Sequence, residues 1–436
     1  MRLFKKKRQP LVSRLLSLKA GPRFTEKTLQ IIFFIHVWSM WRWEMLLLLQ
    51  LAFASIISAK LTDLGEEPDW SRLDAFQESI SREDFLKQLN KVYCPRSEWW
   101  APWLEIGPSS LRIRTKSGTD SWYEFHFEQS KQVGLEARFS PIPKNLKIVL
   151  DPGHIGGDFS EMEGRHFAIG DDLPVKEGEL ALEVALLLKT ELESRQISVF
   201  LTREENQPVT HARPSDFQKL AMSWYQRTQA FTDYNESVEA KMIRDRRELY
   251  FYRVSEINAR AKMIDQVKPD LVICIHLNAA PWSDPDSKTL VERNDYHVLL
   301  NGCYMGGEIA YDNQRFQMIW RIVNNWHETE KEFAQNIARS FAENSKLPPF
   351  SYKGPNAIKI GSVPGVWARN LLANRIYEAP VVFLEPYIAN SRVEYERIQM
   401  GNYDGFKKLN GVSRLSLVQE YVKAVMEGIE EYFGGK

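Results

Sequence analysis

Residues 148–154 read Ile-Val-Leu-Asp-Pro-Gly-His, a short apolar run that ends in a proline–glycine turn and a histidine. The run is typical of a buried strand, and the turn places His154 just beyond its end. An amphipathic helix is predicted over Glu179–Ser194, and Ile197–Leu201 follows as a second strand. Strand, helix and strand in this order predict a right-handed crossover and parallel pairing. The stretch therefore predicts an α/β domain with a mostly parallel twisted sheet flanked by helices.

A second histidine follows another apolar run in the same way. Residues 271–275 read Leu-Val-Ile-Cys-Ile, and His276 comes directly after them. Ligands bind outside the carboxyl ends of the strands in an open α/β sheet, so two histidines at one edge favour a metal site over a structural role. A catalytic zinc ion takes three protein ligands and leaves a fourth position for water. Glu177, in the loop before the predicted helix, is the candidate for the third ligand.

A fourth chemical group is expected at the end of a further strand. Residues 381–384 read Val-Val-Phe-Leu, and Glu385 follows them. A carboxylate near the zinc ion can take a proton from the attacking water and later give it to the leaving amine. Taken alone, Glu385 is better explained as a solvated cap or as an ion-pair partner of Arg369 or Arg375.

Six blocks of sequence occur in an order that is typical of one enzyme family. The blocks are residues 148–154, 177–182, 201–203, 260–265, 270–278, and 382–385 with Asn390. In this order they resemble the zinc-dependent N-acetylmuramoyl-L-alanine amidases of the type 3 family. The resemblance covers Leu146 to about Tyr432, roughly two thirds of the chain.

The resemblance implies a zinc (Zn2+) site formed by His154, Glu177 and His276, with Glu385 as the catalytic residue. It implies an enzyme that hydrolyses the amide between N-acetylmuramic acid and the first L-alanine of the peptidoglycan stem peptide. Such an enzyme would act in cell-wall remodelling or daughter-cell separation, with peptidoglycan as its partner. Two alternatives stay open: a zinc peptidase acting on wall peptides, and a non-cleaving peptidoglycan-binding regulator of the same fold.

The sequence departs from the family pattern beside the first histidine and in one long insertion. Ile155 stands where the family usually has glycine, and a larger side chain there would narrow the cleft. Residues 208–250 lengthen the segment before the second histidine and are dense in charged and aromatic residues. This insertion is interpreted as a lid, as a docking surface for an activator protein, or as a charged surface decoration.

The N-terminal 59 residues predict export. The first 28 residues carry nine lysines and arginines against the single acid Glu26. Residues 45–59 then form an apolar run with the length of a signal-peptide core, and Ala52-Phe53-Ala54 matches a cleavage pattern. We therefore expect a leader or membrane anchor over 1–59, membrane contact only through it, and a protein located in the periplasm or cell envelope.

Residues 60–144 lie outside the resemblance and predict a small α+β module of unknown role, followed by the catalytic domain over 145–436. A helix near Arg82–Val92 and two alternating segments, Ser110–Thr115 and Ser121–Phe127, support this interpretation. The module is rich in tryptophan, a residue that packs in the core of a small domain more often than it stacks on sugars.

The overall composition excludes several classes of protein. The chain has 436 residues, with 57 Lys+Arg balanced by 57 Asp+Glu, so the net charge gives no support to a nucleic-acid partner. The three cysteines, Cys94, Cys274 and Cys303, are odd in number and far apart. They predict unpaired thiols packed as small apolar side chains rather than a disulfide framework.

Overall fold

The computed structural model describes residues 64–65, 67–129, 146–228, 235–284 and 288–434. The predicted leader over 1–59 lies outside the described residues. Within them, no helix combines the length and the hydropathy that crossing a membrane requires.

The part of the chain before residue 130 contains short helices and a three-stranded antiparallel sheet. Its elements are a 3-10 helix Trp70–Phe76, α1 Arg82–Gln88 with a π-helical turn Leu89–Tyr93, α2 Ser97–Trp100, β1 Leu104–Ile106, β2 Ser110–Arg114 and β3 Trp122–His126.

The larger part of the chain alternates strands and helices. Its strands are β4 Lys147–Pro152, β5 His166–Phe167, β6 Val175–Lys176, β7 Ser198–Leu201, β8 Leu271–Ile275, β9 Tyr296–Leu300, β10 Ile358–Lys359, β11 Val366–Ala368, β12 Val381–Pro386, β13 Lys407–Leu409 and β14 Val412–Arg414. Its helices are α3 Glu177–Ser194, α4 Gln218–Thr228, α5 Glu236–Leu249, α6 Glu256–Val267, α7 Gly306–Ile309, α8 Asp312–Val323, α9 Trp326–Ser345, α10 Leu372–Ile376, α11 Arg392–Gln399 and α12 Leu417–Gly434.

A seven-stranded mixed sheet with the order β10-β11-β9-β12-β8-β4-β7 forms the centre of this part. The neighbours β12, β8, β4 and β7 are parallel, whereas β9 is antiparallel to β12. The described residues between β8 and β9 contain no helix, so the chain returns beside the sheet in the opposite direction instead of crossing over it. The predicted α/β class with a mostly parallel sheet and a preceding α+β module is confirmed.

The central strands are buried on both faces, which explains why they read as continuous apolar runs. Leu150, Ile273 and Leu384 point to the face that α3, α9 and α12 cover. Val149, Val272 and Phe383 alternate with them and point to the face covered by α6 and α10. Because both layers are filled, the polar residues that follow these strands are concentrated at the carboxyl edge of the sheet.

The N-terminal α+β part packs directly on the larger part. Cys303 and Tyr304 donate their backbone N–H groups to the carbonyls of Val92 and Tyr93, at 2.7 and 2.6 Å. Trp70 packs edge-on against the ring of Phe316, with the ring centroids 5.3 Å apart. The partly buried tryptophans of the N-terminal part that pack against the main core are Trp70, Trp99, Trp100 and Trp103. These four side chains therefore serve as packing residues.

The three cysteines are free and buried, as predicted. Burial raises the pKa of the Cys94 thiol to about 12 and that of the Cys303 thiol to about 11. Both groups are therefore protonated and unreactive at neutral pH, because the thiolate is the nucleophilic form of cysteine.

Candidate active site

Three of the predicted site residues come together because their segments end at one edge of the sheet. Gly153, just after β4, donates its N–H to the carbonyl of Ile275 at 2.8 Å, so the ends of β4 and β8 are locked side by side. His154 and His276 follow these two strands, and Glu177 is the first residue of α3. The ligand atoms of the three side chains all lie within 4.8 Å of one another.

The geometry of the group suits a metal ion. Glu177 Oε1 lies 3.2 Å from His154 Nε2 and 3.1 Å from His276 Nδ1. The three side chains are largely buried, with exposed fractions of 16, 14 and 8% for His154, His276 and Glu177. Two imidazole nitrogens and one carboxylate oxygen form the donor set of many catalytic zinc sites. The donors present therefore fit a zinc ion.

The electrostatics of the group are strongly perturbed. Burial opposes ionisation of Glu177, but His154 and His276 hold the pKa of this carboxyl well below its usual range. Burial also opposes protonation of His154, yet Glu177 and Glu163 raise its pKa to about 9. The pKa of His276 is lowered, chiefly by burial. A buried cluster of mutually shifted titratable groups is typical of a functional site.

His154 has an unusual backbone conformation that two buried arginines stabilise. Its φ is 60°, in the left-handed region that a residue with a Cβ rarely adopts. Arg260 donates to the carbonyls of Pro152 and His154 at 2.7 and 2.8 Å, and Arg203 donates to that of Gly153 at 3.0 Å. Strain of this kind costs roughly 1–3 kcal/mol and persists only where surrounding contacts hold it.

The ring of His276 is fixed from both sides. A Cβ on Gly153 would overlap this ring, so only glycine permits the close approach of the β4 turn. On the other side, Phe383 stacks on the ring, with the centroids 4.2 Å apart and an interplanar angle of 17°. The imidazole therefore has little freedom to turn away from Glu177.

A further carboxylate, Glu163, supports His154, and the sequence analysis missed it. Its oxygens accept hydrogen bonds from the N–H groups of Ile155 at 3.0 Å and Gly156 at 3.2 Å. Its Oε1 also lies 3.5 Å from His154 Nδ1, which leaves His154 Nε2 facing Glu177. Carboxylates behind a metal-binding histidine orient its ring in this way. Glu163 lies in an irregular loop, where no periodicity or spacing could have identified it.

Glu385 lies beside the His–Glu–His group. Leu384 pairs with Ile275 in the parallel β12–β8 ladder, and Glu385 is the next residue, so it lies beside His276. The strand β12 continues to Pro386, so Glu385 lies within the strand and not after it as the sequence had predicted. Burial and the nearby Glu177 raise the pKa of the Glu385 carboxyl to about 8. Such an elevated pKa suits a group that exchanges protons near neutral pH.

The two arginines considered as partners of Glu385 are engaged with other groups. Arg369 donates to the Tyr352 hydroxyl at 3.4 Å, and Arg375 donates to the side-chain oxygens of Gln317 and Asn370 at 2.7 Å. In the described part of the chain, neither arginine forms an ion pair with Glu385. Its placement is therefore better explained by the neighbouring histidine–carboxylate group.

The insertion packs on the residue that follows His154. Ile155 is fully buried in a cluster with Phe217, Tyr250, Phe251 and Val254, which belong to the 3-10 helix Pro214–Phe217 and to the π-helical stretch that joins α5 to α6. The expectation that Ile155 narrows the cleft is therefore wrong, because its side chain is used for packing. Within 208–250, residues 229–234 lie outside the described part of the chain.

Together these features define an α/β protein with a buried site suited to a metal ion at the carboxyl edge of its sheet. The sequence profile of the N-acetylmuramoyl-L-alanine amidase family (Amidase_3) matches residues 148–405, more than half of the chain. The chain therefore belongs to this family, and it is an enzyme that acts on peptidoglycan as an N-acetylmuramoyl-L-alanine amidase. The predicted family is confirmed.

Solved structures similar to this chain include three amidases. The CwlD amidase from Clostridioides difficile, in complex with the GerS lipoprotein, has 15% identity and a TM-score of 0.38, covering 67% of this chain and 100% of that chain. Ami1 from Mycobacterium smegmatis has 15% identity and a TM-score of 0.35, covering 67% and 98%. AmiC2 of Nostoc punctiforme has 14% identity and a TM-score of 0.33, covering 67% and 98%. No curated protein matches the sequence.

Proposed function

We propose that this amidase is zinc-dependent and cleaves the amide between the lactyl group of N-acetylmuramic acid and the first L-alanine of the stem peptide. The observation that carries the proposal is the convergence of His154, Glu177 and His276 beside Glu385. Zinc in this site supplies Lewis acidity toward the scissile carbonyl and the attacking water. His154, Glu177 and His276 would hold the ion, and Glu163 would fix the ring of His154.

Glu385 is the residue that we assign to proton transfer. One carboxylate oxygen takes a proton from the attacking water while the water oxygen bonds to the amide carbon. The same group then delivers that proton to the alanine nitrogen as the C–N bond breaks. The products are the lactyl carboxylic acid, which loses its proton to solvent, and a free stem peptide.

A His276→Ala variant should lose bound zinc and amidase activity together. The substitution removes one of three ligands, and the remaining two donors bind zinc far more weakly. Metal analysis of the purified protein and mass spectrometry of products from purified sacculi measure both effects. His211→Ala, at an exposed histidine of the insertion, serves as the control and should retain both.

Three outcomes would contradict this assignment. If His276→Ala kept its zinc content and its turnover, the ligand set would be wrong. If the wild-type enzyme released shortened peptides rather than intact stem peptides, the protein would be a peptidase of wall peptides. A wild-type protein that bound sacculi but released nothing would be a regulator.

We further propose that the enzyme is exported and acts in wall remodelling or daughter-cell separation. The basic arm and apolar run before residue 60 support export, and peptidoglycan lies outside the cytoplasmic membrane. Removing stem peptides from glycan strands also releases cross-links, which both processes require. Sequencing the N-terminus of the protein from the cell envelope tests export, and residue 1 at the N-terminus of a cytoplasmic protein would contradict it.

We also propose that the insertion is a docking surface through which an activator protein changes the site. The support is the cluster around Ile155, which joins the insertion to the residue next to His154. A partner that shifts this cluster would act on the backbone that carries the first histidine. Such control would prevent uncontrolled wall hydrolysis.

A Phe217→Ala variant should weaken zinc binding several-fold and lower basal activity. Phe217 is 9% exposed and packs in the cluster with Ile155, so its truncation leaves a cavity behind the His154 loop. Met222→Ala, at a 42% exposed position of α4, is the matched control. Zinc titration and rates on muropeptides measure the effect. A folded Phe217→Ala protein with unchanged zinc affinity and rate would show that the insertion is not coupled to the site.

A further inference from the structure

Arg165 lies across a short hairpin from the proposed zinc ligand Glu177. The strands β5 and β6 pair His166 with Lys176 and Phe167 with Val175. The N–H of Glu177 donates to the carbonyl of Arg165 at 3.2 Å, which extends the same ladder by one pair. Directly opposite residues of an antiparallel pair place their side chains on the same face. The hairpin therefore holds the Arg165 side chain beside the site.

The guanidinium of Arg165 makes few contacts within the protein. Its Nε lies 3.5 Å from Glu177 Oε2, a longer separation than that of a good charge-assisted hydrogen bond. In the described part of the chain the side chain has no other ion pair or hydrogen bond, and 43% of it is exposed. The buried Arg203 and Arg260 differ, because both donate to several backbone carbonyls. Arg165 can therefore accept a further partner from solution.

The charges around Arg165 indicate what kind of group it binds. Glu163, Glu177 and Glu385 make the site rich in carboxylates, which repel an anionic substrate. The guanidinium of Arg165 carries a positive charge 3.5 Å from Glu177 and offsets this repulsion for an anionic group of the substrate.

We propose that Arg165 forms a subsite for a carboxylate of the stem peptide, on the residue that follows the scissile alanine. The inference rests on the proposed function. One residue advances a peptide by roughly 3.3–3.6 Å, so a carboxylate there lies within reach of a side chain that neighbours a zinc ligand. The planar guanidinium matches a carboxylate through two parallel hydrogen bonds and has no such match with an amide. Arg165 thus selects stem peptides in which this carboxylate is free.

A matched pair of muropeptides tests the subsite. The two substrates differ only in whether the carboxyl group at the second stem residue is the free acid or its primary amide. The wild-type enzyme should cleave the acid with a kcat/KM about 10- to 100-fold higher, chiefly through KM. R165Q should bring the ratio close to one, and R165K should give an intermediate ratio, because lysine keeps the charge without the fork.

The ratio separates substrate binding from damage to the site. Each ratio compares two substrates of the same variant. Altered zinc content or folding changes both rates by the same factor, so it leaves their ratio unchanged. Lys176→Gln removes a cation from the neighbouring position of the hairpin, where Lys176 pairs with Glu179 at 2.9 Å, and should leave the ratio unchanged.

Three results would overturn the inference. Equal wild-type rates on the acid and the amide, or an unchanged preference in R165Q, would contradict the subsite alone. Failure of the wild-type enzyme to release a stem peptide from either substrate would contradict the proposed function, and the subsite with it.

Discussion

Glu385→Gln should reduce amide hydrolysis by about 10²- to 10⁴-fold, the usual contribution of a general acid–base group. Glutamine has nearly the same shape but cannot take a proton from water or return one to the alanine nitrogen. His154, Glu177 and His276 are untouched, so the zinc content of the variant should equal that of the wild-type protein. Steady-state rates on muropeptides, together with metal analysis of the same samples, measure both quantities.

The stability of the Glu385→Gln variant provides a control for the activity measurement. Burial and Glu177 raise the folded-state pKa of Glu385 to about 8, above its ordinary value of 4.5. Between these two pH values the metal-free folded protein binds a proton that the unfolded chain has lost, so stability falls as the pH rises through this window. The glutamine side chain does not titrate, so the variant does not lose this stability as the pH rises. The metal-free variant should therefore be at least as stable as wild type at pH 8.

Near-normal turnover in Glu385→Gln would remove Glu385 from the mechanism. Lost turnover with lost zinc would instead place Glu385 among the groups that hold the metal ion. Glu396→Gln, at another glutamate for which no catalytic role is proposed, should match wild type in both measurements.

The sequence predicted the chemical groups that follow strands, because an apolar run that stops at a histidine or glutamate marks the edge of a sheet. His154, His276 and Glu385 were predicted in this way, and Glu177 was predicted from its place before α3. The observed α3 begins at Glu177, two residues earlier than predicted, so the carboxylate occupies the N-terminal turn of a helix. Negative charge is favoured there by the helix dipole.

The groups that the sequence did not identify act through tertiary contacts. Glu163 and Arg165 come from an irregular loop. Glu163 is held by the N–H groups of Ile155 and Gly156, and the β5–β6 hairpin places Arg165 opposite Glu177. Arg203 and Arg260 were recognised as parts of a family pattern. Their hydrogen bonds to the carbonyls of the His154 turn could not be predicted, because such contacts produce no periodic pattern in the sequence. The composition of β9 also does not show that this strand is antiparallel, because a strand buried on both faces is a continuous apolar run in either direction.

Arg260→Met should destabilise the protein by about 3–5 kcal/mol, the usual effect of removing one partner from a buried ion pair. Arg260 is 3% exposed and pairs with Asp151 at 2.9 Å and with Glu256 at 2.8 Å. Methionine fills much of the space but leaves both carboxylates buried without their cation. It also releases the carbonyls of Pro152 and His154, so zinc affinity should fall as well. Urea denaturation and zinc titration measure the two effects.

The effect of Arg260→Met should depend on pH with a definite sign. Burial opposes ionisation of Asp151, but Arg260 and the hydrogen bonds from Thr202 and Tyr377 keep the pKa of Asp151 below its ordinary value. This stabilisation is present at neutral pH and is lost as the pH falls through the folded-state pKa. Without Arg260 the pKa of Asp151 rises, so protonation at acidic pH relieves part of the penalty. The loss of stability should therefore be smaller at pH 5 than at pH 8.

The matched control for Arg260→Met is Arg392→Met, which breaks an exposed ion pair with Glu292 at 3.0 Å. Exposed pairs contribute roughly 0–1 kcal/mol, because water screens the charges and both side chains lose freedom when they pair. Arg392→Met should therefore change stability little at either pH. If Arg260→Met were equally mild, or if its destabilisation grew as the pH fell, Arg260 would not be the cation that holds Asp151 and the turn carrying His154.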